Sequence, residues 1–337
     1  DMEALGKVFE QEEITHTLLL PALYGEVLQS VSLEKIKKLK CVIVAGEACH
    51  EEVPRKHFAA LPQARLYNEY GPTEAAVWAT VEEINPDDLE TISIGKPIGN
   101  TEVFILDADM QPVPSGIPGE IYIGGLNVAR GYLNNQEATA HYFLDNPLDT
   151  ESDRLYKTGD LGKYGEAGKI IFLGRADEQV KIRGHRVELI EIEKQVKRFP
   201  GIEESVVKMT DTNGRGGRIV CYFTRSDEVD ESKLRSQLHA ELPNYMVPSA
   251  FINLSEMPRL PNGKVDVKQL KSHEVEFRPT EIERPGDNVE QVLHEIWTEV
   301  LKNQPIGIHD NFFEIGGDSI MSIRIISKAR SRGFNIK

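Results

Sequence analysis

The sequence is poor in features that would place it in several common classes. Its three cysteines, Cys41, Cys49 and Cys221, show neither metal-ligand spacing nor the density of a secreted disulfide framework. It has no basic-then-apolar signal at its start, and no run approaches the roughly 18 to 20 apolar residues of a membrane span. These absences exclude a disulfide scaffold and a transmembrane protein. We therefore expect a soluble protein in a reducing cytoplasm.

Positive charge is also in short supply. There are 39 Lys and Arg against 54 Asp and Glu, which gives a formal net charge of -15. Nucleic acids are bound largely through clustered Lys and Arg that replace counterions, so a general nucleic-acid binder is excluded, although a single nucleotide can bind locally. With 337 residues, 40% of them hydrophobic, the chain is expected to form two or three units with substantial cores.

The first part of the chain has an α/β pattern that changes to a β-rich one. Residues 1–130 alternate amphipathic helical stretches with short β-branched runs. The apolar run "KCVIVAGEA" (40–48) predicts a strand buried on both faces. Alternating apolar positions and closely spaced turn residues from Ile92 to Ile123 predict a small β-rich unit.

The second part predicts an α+β unit, a linker and a helical bundle. "RIVCYFT" (218–224) is strand-like and "ESKLRSQLHAEL" (231–242) is helix-like, which favours a compact α+β unit ending near residue 270. The segment "KSHEVEFRPTEIERPGDN" is charged, contains proline and lacks an apolar period, as linkers do. Apolar residues at helical spacing in "NVEQVLHEIWTEVLK" (288–302) and "SIMSIRIISKARSRG" then predict two bundle helices.

Four segments carry groups suited to nucleotide or acyl chemistry. "NEYGPTEAAVW" (68–78) combines an aromatic ring that can stack on a base, a hydroxyl for phosphate and a carboxylate for Mg²⁺, yet alone it also fits a surface turn. "YKTGDLG" (156–162) and "GRADEQVKIRGHRVE" (174–188) add charges that are commonly just solvated. "LPNGKVD" (260–266) places a lysine at a hairpin-type turn, where it could reach a carboxylate or phosphate or simply be exposed.

A serine near the carboxyl end has the setting of a modification site. In "DNFFEIGGDSIMS" (310–322), two glycines and an aspartate precede Ser319, and an apolar helix-like run follows it. A serine at the first turn of a helix after a tight turn is open to another enzyme, although an isolated motif of this kind is also an ordinary helix cap.

The order and spacing of the motifs carry more weight than any one of them. "NEYGPTE", "GEIYIGG", "NVARGYL", "YKTGD", "GRADEQVKIRGHRVELIEIE", "LPNYMVP" and "NGKVD", followed by "DNFFEIGGDS", closely resemble the motifs of nonribosomal peptide synthetase adenylation domains and of the carrier (thiolation) domain that follows them. The resemblance runs from about Ile14 to Lys337. The family's phosphate loop and the aspartate that binds the substrate amine are not found, and we expect them before Asp1 in a longer chain.

The resemblance implies an α/β adenylate-forming core of the ANL superfamily with a β-rich subdomain, an α+β carboxyl-terminal lid and a helical-bundle carrier. The implied divisions are the carboxyl-terminal part of the core (1–176), the lid (177–270), a linker (271–287) and a carrier truncated at its carboxyl end (288–337). The implied enzyme is an amino-acid-adenylating ligase. It activates an amino acid, or a related carboxylic acid, as an acyl adenylate with ATP and Mg²⁺ and transfers it to the thiol of 4'-phosphopantetheine.

The resemblance also assigns nucleotide-binding roles. Tyr70 is expected to stack on adenine, Asn68 to contact its exocyclic edge and Phe172 to lie near the base. Asp160 is expected to bind the ribose hydroxyls, with Arg175 beside it. Thr73 is expected to contact phosphate, and Glu74 to help hold Mg²⁺.

Further implied roles concern transfer and substrate choice. Lys264 is expected between the substrate carboxylate and the α-phosphate, Asp177 at a hinge, Lys181 and Gly184 facing the thiolation tunnel, and Ser319 carrying phosphopantetheine. The implied substrate pocket is lined by Leu19, Ile43, Ala45, Glu69, Val77 and Trp78. An apolar lining with a bulky tryptophan favours a small or slim apolar side chain, which the glutamate complicates.

The implied partners are an amino acid, a phosphopantetheinyl transferase, and neighbouring condensation, thioesterase or other synthetase domains. The resemblance also admits an MbtH-like activator protein. Two rival readings remain. A standalone acyl- or aryl-CoA ligase would use free CoA and give Ser319 no role, whereas a non-catalytic carrier or docking module would have lost ATP binding.

Overall fold

The structure is a computed structural model, and it describes residues 2–148, 150–176, 179–182, 185–210, 218–260, 265–266, 269–270, 283–301, 306–310, 312, 315, 317, 319–334 and 336, with the main chain alone at 181, 319 and 320. The chain divides into two compact units, Met2–Asp177 and Glu178–Lys337. The finer division into core, lid, linker and carrier stays a prediction.

The first unit begins with a mixed sheet whose strand order is β1-β2-β3-β4-β5. Its strands are β1 (His16–Leu19), β2 (Cys41–Ala45), β3 (Arg65–Tyr70), β4 (Thr80–Glu83) and β5 (Lys96–Pro97). The accompanying helices are α1 (Met2–Gln11), α2 (Pro21–Ser30), α3 (Leu33–Ile36) and α4 (Glu52–Ala60). Strands β1 to β3 are parallel, and β4 and β5 are antiparallel additions. The carboxyl ends of the three parallel strands therefore meet at one edge of the sheet.

The burial of β2 differs from the expectation. Val42 and Val44 are fully buried, but Cys41 and Ile43 on the opposite face are only half-buried. Side chains alternate between the faces of a strand, and α2 packs against β2, so one set of side chains is covered more completely than the other. The predicted strand is confirmed, and its second face is buried only in part, at Ala45.

A second, antiparallel sheet completes this unit, as the alternating pattern predicted. Its order is β10-β9-β7-β6, with β8 paired to β9. Its strands are β6 (Thr101–Leu106), β7 (Gly119–Gly125), β8 (Phe143–Asp145), β9 (Arg154–Tyr164) and β10 (Ile170–Arg175). The short helix α5 (Gln136–Tyr142) precedes β8. Buried isoleucines from β6, β7 and β10 form one core with Tyr70 at the end of β3, which joins the two sheets around the candidate site.

The second unit contains an α+β part built from a hairpin and a three-stranded sheet. The hairpin pairs β11 (Gln179–Ile182) with β12 (His185–Glu188). The sheet has the order β13-β14-β15, from β13 (Ile202–Thr210), β14 (Arg218–Arg225) and β15 (Ala250–Asn253). The associated helices are α6 (Leu189–Val196) and α7 (Glu231–Glu241), with Asp230 capping α7 by accepting from two backbone amides. The predicted strand at 218–224 and helix at 231–242 are thus confirmed.

Two paired helices end the described chain. They are α8 (Asn288–Leu301) and α9 (Ser319–Ser331), and they pack through Ile296, Val300, Ile325 and Ala329. Both predicted bundle helices are confirmed. Among the residues that the structure describes, none of the helices has the length and apolar content needed to cross a membrane.

Candidate active site

The segment "NEYGPTE" forms the end of β3 and a tight return of the chain. Tyr70 closes the strand, and residues Thr73–Ala75 form a short 3₁₀ helix. The Ala79 amide donates to the Tyr70 carbonyl at 2.9 Å, so the chain folds back on itself within nine residues. A Cβ on Gly71 would lie 2.3 Å from the Val77 carbonyl oxygen, so this return requires glycine. The motif therefore lies at the edge where the parallel strands end.

A buried charge cluster joins this motif to the second sheet. The Tyr70 hydroxyl donates to Oδ2 of Asp160 at 2.5 Å, and Nη1 of Arg175 donates to Oδ1 of Asp160 at 2.8 Å. The side chains of Asp160 and Arg175 are only 4% and 11% exposed. The structure thus brings together three residues that the sequence separates by up to 105 positions, because Asp160 and Arg175 face each other on β9 and β10 while β3 ends beside them.

Within this cluster the guanidinium of Arg175 balances the carboxylate of Asp160. A carboxylate out of water is costly unless a cation and hydrogen bonds offset its charge, and Arg175 and Tyr70 supply both. Burial, and then the neighbouring Asp160, raise the pKa of Tyr70 well above its ordinary value. Tyr70 is therefore a neutral donor at physiological pH. Both oxygens of a carboxylate can accept further bonds, so Asp160 retains capacity for hydroxyl donors.

Other predicted nucleotide-binding residues lie close by in different settings. The buried Asn68 side chain donates to the Ser93 carbonyl at 2.8 Å, so its amide already has a structural role. Tyr70 is 7% exposed and lies 6.1 Å, ring to ring, from Phe172, which is half-buried. Thr73 is exposed at the start of the 3₁₀ helix. Stacking of adenine on Tyr70 stays a prediction, because most of that ring is covered.

Glu74 is held by a segment to which the sequence analysis assigned no contact. Its Oε1 accepts a hydrogen bond of 2.6 Å from the Tyr132 hydroxyl, and its main-chain oxygen accepts one of 2.8 Å from the Ala129 amide. Burial, and then hydrogen bonds with Glu74 and Tyr156, raise the pKa of Tyr132 well above its ordinary value. Both Tyr132 and Ala129 belong to "NVARGYL", so the motif was visible in the sequence but its contact with Glu74 was not.

The residues predicted to line the substrate pocket do not all share one surface. Ile43, Ala45 and Glu69 lie on one face of the parallel strands, as their register requires. Leu19 pairs with Val44 and so lies on the opposite face, and the structure does not group it with the other three. Burial raises the pKa of the half-buried Glu69 carboxyl.

Val77 and Trp78 follow the 3₁₀ helix in an unusual turn. Ala76 and Val77 have φ values of 54° and 75°, the left-handed region that β-branched residues avoid. The Val77 side chain is 49% exposed, and Trp78 is half-buried. The backbone strain at these two residues accompanies the return of the chain after "NEYGPTE".

Several predicted site residues lie outside what the structure describes. Asp177, Gly184 and Lys264 are outside the described residues altogether. Only the main chain is described for two others. Lys181 lies in β11 and pairs with Arg186 of β12, and Ser319 begins α9. Their roles stay predictions.

A polar cleft of about 350 Å³ lies elsewhere in the first unit. It is lined by Glu13, Thr15, Lys37, Lys38, Leu39, Lys40 and Gln63. These residues precede β1, β2 and β3, so the cleft is at the amino ends of the parallel strands. Ligands of open α/β sheets bind at the carboxyl ends, and this cleft is therefore separate from the candidate site.

Comparison with family models identifies both ends of the chain. Residues 1–133 match the family described as AMP-binding enzyme. Residues 291–337 match the family described as phosphopantetheine attachment site. Together with the fold, these matches define the class: an adenylate-forming segment followed by a carrier segment, as the resemblance predicted.

Individual relatives narrow this class to the nonribosomal peptide synthetases. Tyrocidine synthase 3 of Brevibacillus parabrevis is 41% identical over 330 residues, which cover 97% of this chain and 5% of the relative. Bacitracin synthase 3 of Bacillus licheniformis is 39% identical over 327 residues, again with 97% and 5% coverage. The chain thus spans about one-twentieth of the length of these curated relatives.

Solved structures give the same result at the level of fold and domain order. The structure of holo-PA1221, an NRPS protein containing adenylation and PCP domains bound to a vinylsulfonamide inhibitor, aligns with a TM-score of 0.80 at 27% identity, covering 99% of this chain and 55% of that one. The crystal structure of IdnL1 aligns with a TM-score of 0.68 at 29% identity, covering 76% of this chain and 54% of that one.

Proposed function

We propose that this chain takes part in the ATP-dependent activation of an amino acid as an aminoacyl adenylate and in its transfer to a phosphopantetheine thiol on Ser319. The observation that carries the proposal is the buried cluster of Tyr70, Asp160 and Arg175 at the carboxyl edge of the parallel strands. The phosphopantetheine attachment match at the other end of the chain supports the transfer step.

The chemistry of the cluster fits ATP. Asp160 is held in place by two hydrogen bonds and has oxygen lone pairs left to accept ribose hydroxyls, and Arg175 pairs with it before any ligand arrives. Tyr70 orients the carboxylate through its hydroxyl, in addition to its proposed contact with adenine, and Phe172 offers a half-buried ring nearby. Thr73 is exposed and free of the core, as a phosphate contact must be.

Glu74 is proposed to hold Mg²⁺. Among the described residues, no group of three or more His, Cys, Asp and Glu gathers into a metal site. This agrees with Mg²⁺, which is commonly bound by one or two carboxylates together with substrate phosphates rather than by an all-protein cage. When bound, Mg²⁺ would offset phosphate charge as pyrophosphate leaves.

Two half-reactions then need different groups at one site. Lys264 is proposed to offset negative charge between the substrate carboxylate and the α-phosphate while the mixed anhydride forms. Rotation about Asp177 is proposed to replace it with the face that carries Lys181 and Gly184, where the thiol enters. A carboxylate is a poor electrophile, and with AMP as its leaving group a thiol can attack it.

The carrier role rests on Ser319 at the start of α9. A phosphopantetheinyl transferase is proposed to modify this serine, and the flexible arm then raises the thiol concentration at the active site. Condensation, thioesterase or other synthetase domains, and an MbtH-like protein, are the proposed partners in the cytoplasm. The pocket of Ile43, Ala45, Val77 and Trp78 favours a small or slim apolar amino acid, with Glu69 as its polar group.

The adenylation proposal is tested in the native full-length protein by amino-acid-dependent exchange of pyrophosphate into ATP. Lys264→Ala is expected to lower exchange by about 100-fold or more, since removing one preorganised electrostatic group costs roughly this much. Lys233→Ala is the matched control because Lys233 is 79% exposed in the same unit. Unchanged exchange in Lys264→Ala would contradict the proposed role of that lysine, and absence of exchange in the wild type would contradict adenylation.

The transfer proposal is tested by intact mass spectrometry after treatment with CoA and a phosphopantetheinyl transferase. The wild type should gain one phosphopantetheine and Ser319→Ala none. No gain on a folded wild-type sample, together with use of free CoA as acceptor, would instead favour the standalone ligase. Gain without amino-acid-dependent exchange would favour the non-catalytic carrier.

A further inference from the structure

The loop that carries "NVARGYL" holds Glu74 through both its main chain and its side chain. The Ala129 amide bonds the Glu74 carbonyl at 2.8 Å, and the Tyr132 hydroxyl bonds the Glu74 carboxylate at 2.6 Å. Asn127 from the same loop donates through Nδ2 to the carbonyls of Ala75 and Trp78, at 3.2 and 3.0 Å. One loop thus holds the 3₁₀ helix before the strained Ala76 and Val77 and the main chain of Trp78 after them.

Tyr132 is itself held from three directions. Its ring lies edge-on to Phe143 and Tyr142, with centroids 5.4 and 6.1 Å away and interplanar angles of 75° and 86°. Its amide donates to Oγ1 of Thr139 at 2.9 Å, and Thr139 lies in α5. Edge-to-face aromatic contacts and a main-chain hydrogen bond leave the ring little freedom. The hydroxyl is therefore presented at a fixed point.

The residue before Tyr132 shows how closely the loop fits against α5. Gly131 has φ +144°, and a Cβ there would lie 2.5 Å from Cγ2 of Thr139. Helix α5 is fixed at its start by Asn135, whose side chain accepts from the Ala138 amide at 3.0 Å. Hydrogen bonds and close packing thus connect this helix to the main chain of Tyr132.

A glutamate on a short 3₁₀ helix otherwise has several rotamers, and ordering it on metal binding costs side-chain entropy. We propose that Tyr132 is a positioning residue that fixes the Glu74 carboxylate for the divalent cation bound with ATP. This rests on the proposed function, in which Glu74 holds that cation. Tyr132 acts through Glu74 and is not itself a metal ligand or a catalytic residue.

The test compares Tyr132→Phe with the matched control Tyr142→Phe in the native full-length protein. Each change removes one hydroxyl from adjoining rings and keeps the aromatic packing, and the hydroxyl that Tyr132 loses is the one that donates to Glu74 at 2.6 Å. The first readout is Mn²⁺ affinity, measured by electron paramagnetic resonance with a non-hydrolysable ATP analogue. Tyr132→Phe should bind Mn²⁺ about 10-fold more weakly, the usual loss when an outer partner of a ligand is removed, and Tyr142→Phe should bind it as the wild type does.

The second readout is amino-acid-dependent pyrophosphate exchange as a function of Mg²⁺. Tyr132→Phe should need about 10-fold more Mg²⁺ for half-maximal exchange, with KM for the amino acid unchanged within about twofold, because only the metal-binding group is disturbed. In a Glu74→Gln background, Tyr132→Phe should cause no further loss, since a residue acting through Glu74 has nothing left to position.

Wild-type Mn²⁺ affinity in a folded Tyr132→Phe protein would overturn the proposal. So would a further 10-fold loss when Tyr132→Phe is added to Glu74→Gln, because Tyr132 would then act elsewhere. If thermal melting shows that Tyr132→Phe does not fold, Thr139→Val removes the oxygen that accepts from the Tyr132 amide and leaves the Glu74 carboxylate unchanged, and it must also weaken Mn²⁺ binding. A wild type that binds Mn²⁺ and nucleotide without exchange would count against amino-acid activation alone, and the Mn²⁺ comparison would still decide the role of Tyr132.

Discussion

Replacing Arg175 by methionine tests whether the buried charge cluster holds the first unit together. The guanidinium lies 2.8 Å from Asp160, and the two side chains are 11% and 4% exposed. Removing one partner of a buried ion pair leaves an uncompensated charge and costs about 3–5 kcal/mol. Because the Tyr70 hydroxyl still bonds the carboxylate at 2.5 Å, we expect a loss of about 3 kcal/mol in the free energy of unfolding, at the lower end of this range.

The sequence offers a clean assay for this loss. It has two tryptophans, of which Trp78 lies in the first unit and Trp297 in the second. In the 337-residue chain with Trp297→Phe, Trp78 is the one tryptophan left, and its fluorescence reports urea unfolding of the first unit. With a slope of about 2 kcal/mol per M urea, the expected loss lowers the midpoint by about 1.5 M.

The matched control is Arg55→Met, which makes the same change at an exposed pair. Arg55 lies 2.9 Å from Glu51, and both side chains are more than half exposed, so the loss should stay below about 1 kcal/mol. A loss in Arg175→Met no larger than that in Arg55→Met would refute a stabilising role for the buried pair. Adding Asp160→Asn to Arg175→Met should restore about 1 kcal/mol or more of unfolding free energy, since the unpaired charge is then removed.

Three further predictions concern other parts of the structure. Burial lowers the pKa of His57, whose Nε2 donates to the Ala64 carbonyl while its Nδ1 accepts from Tyr24, so the unfolded chain binds the proton more readily. The free energy of unfolding should therefore fall as pH drops below about 6.5. Urea titrations at several pH values should show that His57→Gln flattens this dependence. Gly131→Ala should cost about 2 kcal/mol or more by thermal melting because it adds a clash with Thr139 to its positive φ, whereas Gly116→Ala, with positive φ but open space, should cost less. Ile296→Ala should lower the free energy of unfolding, followed by Trp297 fluorescence, by about 2–5 kcal/mol because it opens a cavity between α8 and α9. Val289→Ala, at a position that is 47% exposed, should lower it by less than about 1 kcal/mol. Equal losses would contradict the packing of α8 on α9.

Much of the secondary structure could be predicted because it follows local patterns. The strand at 218–224 follows from a nearly continuous apolar run and the helix at 231–242 from apolar residues at helical spacing, and both are present. The half-exposed face of β2 could not be predicted, since an apolar run does not reveal how completely each face is covered.

The contacts of the candidate site were less accessible to sequence reasoning. The hydrogen bond of Tyr70 to Asp160 spans 90 positions, and that of Tyr132 to Glu74 spans 58, so no periodicity links the partners. The family resemblance placed Tyr70, Asp160 and Glu74 in one site but attached no role to Tyr132. The resemblance grouped Leu19 with Ile43 and Ala45 in one pocket, and the parallel register, which the sequence does not reveal, places Leu19 on the other face of the sheet from those two.

The pairing of Arg175 with Asp160 depends on a β-bulge in β10. Ile170, Ile171 and Phe172 pair in order with residues 164, 163 and 162 of β9, and uninterrupted pairing would then set Arg175 opposite Gly159. One extra residue, Leu173, shifts the register so that Arg175 lies opposite Asp160, while Leu173 itself is 44% exposed. Because a one-residue slip moves side chains to the other face of a strand, the bulge decides whether the guanidinium reaches the carboxylate or solvent. The bulge therefore decides that Arg175 pairs with Asp160 at the candidate site, and replacing or deleting Leu173 is a change in this strand that acts on that pair without touching either charge.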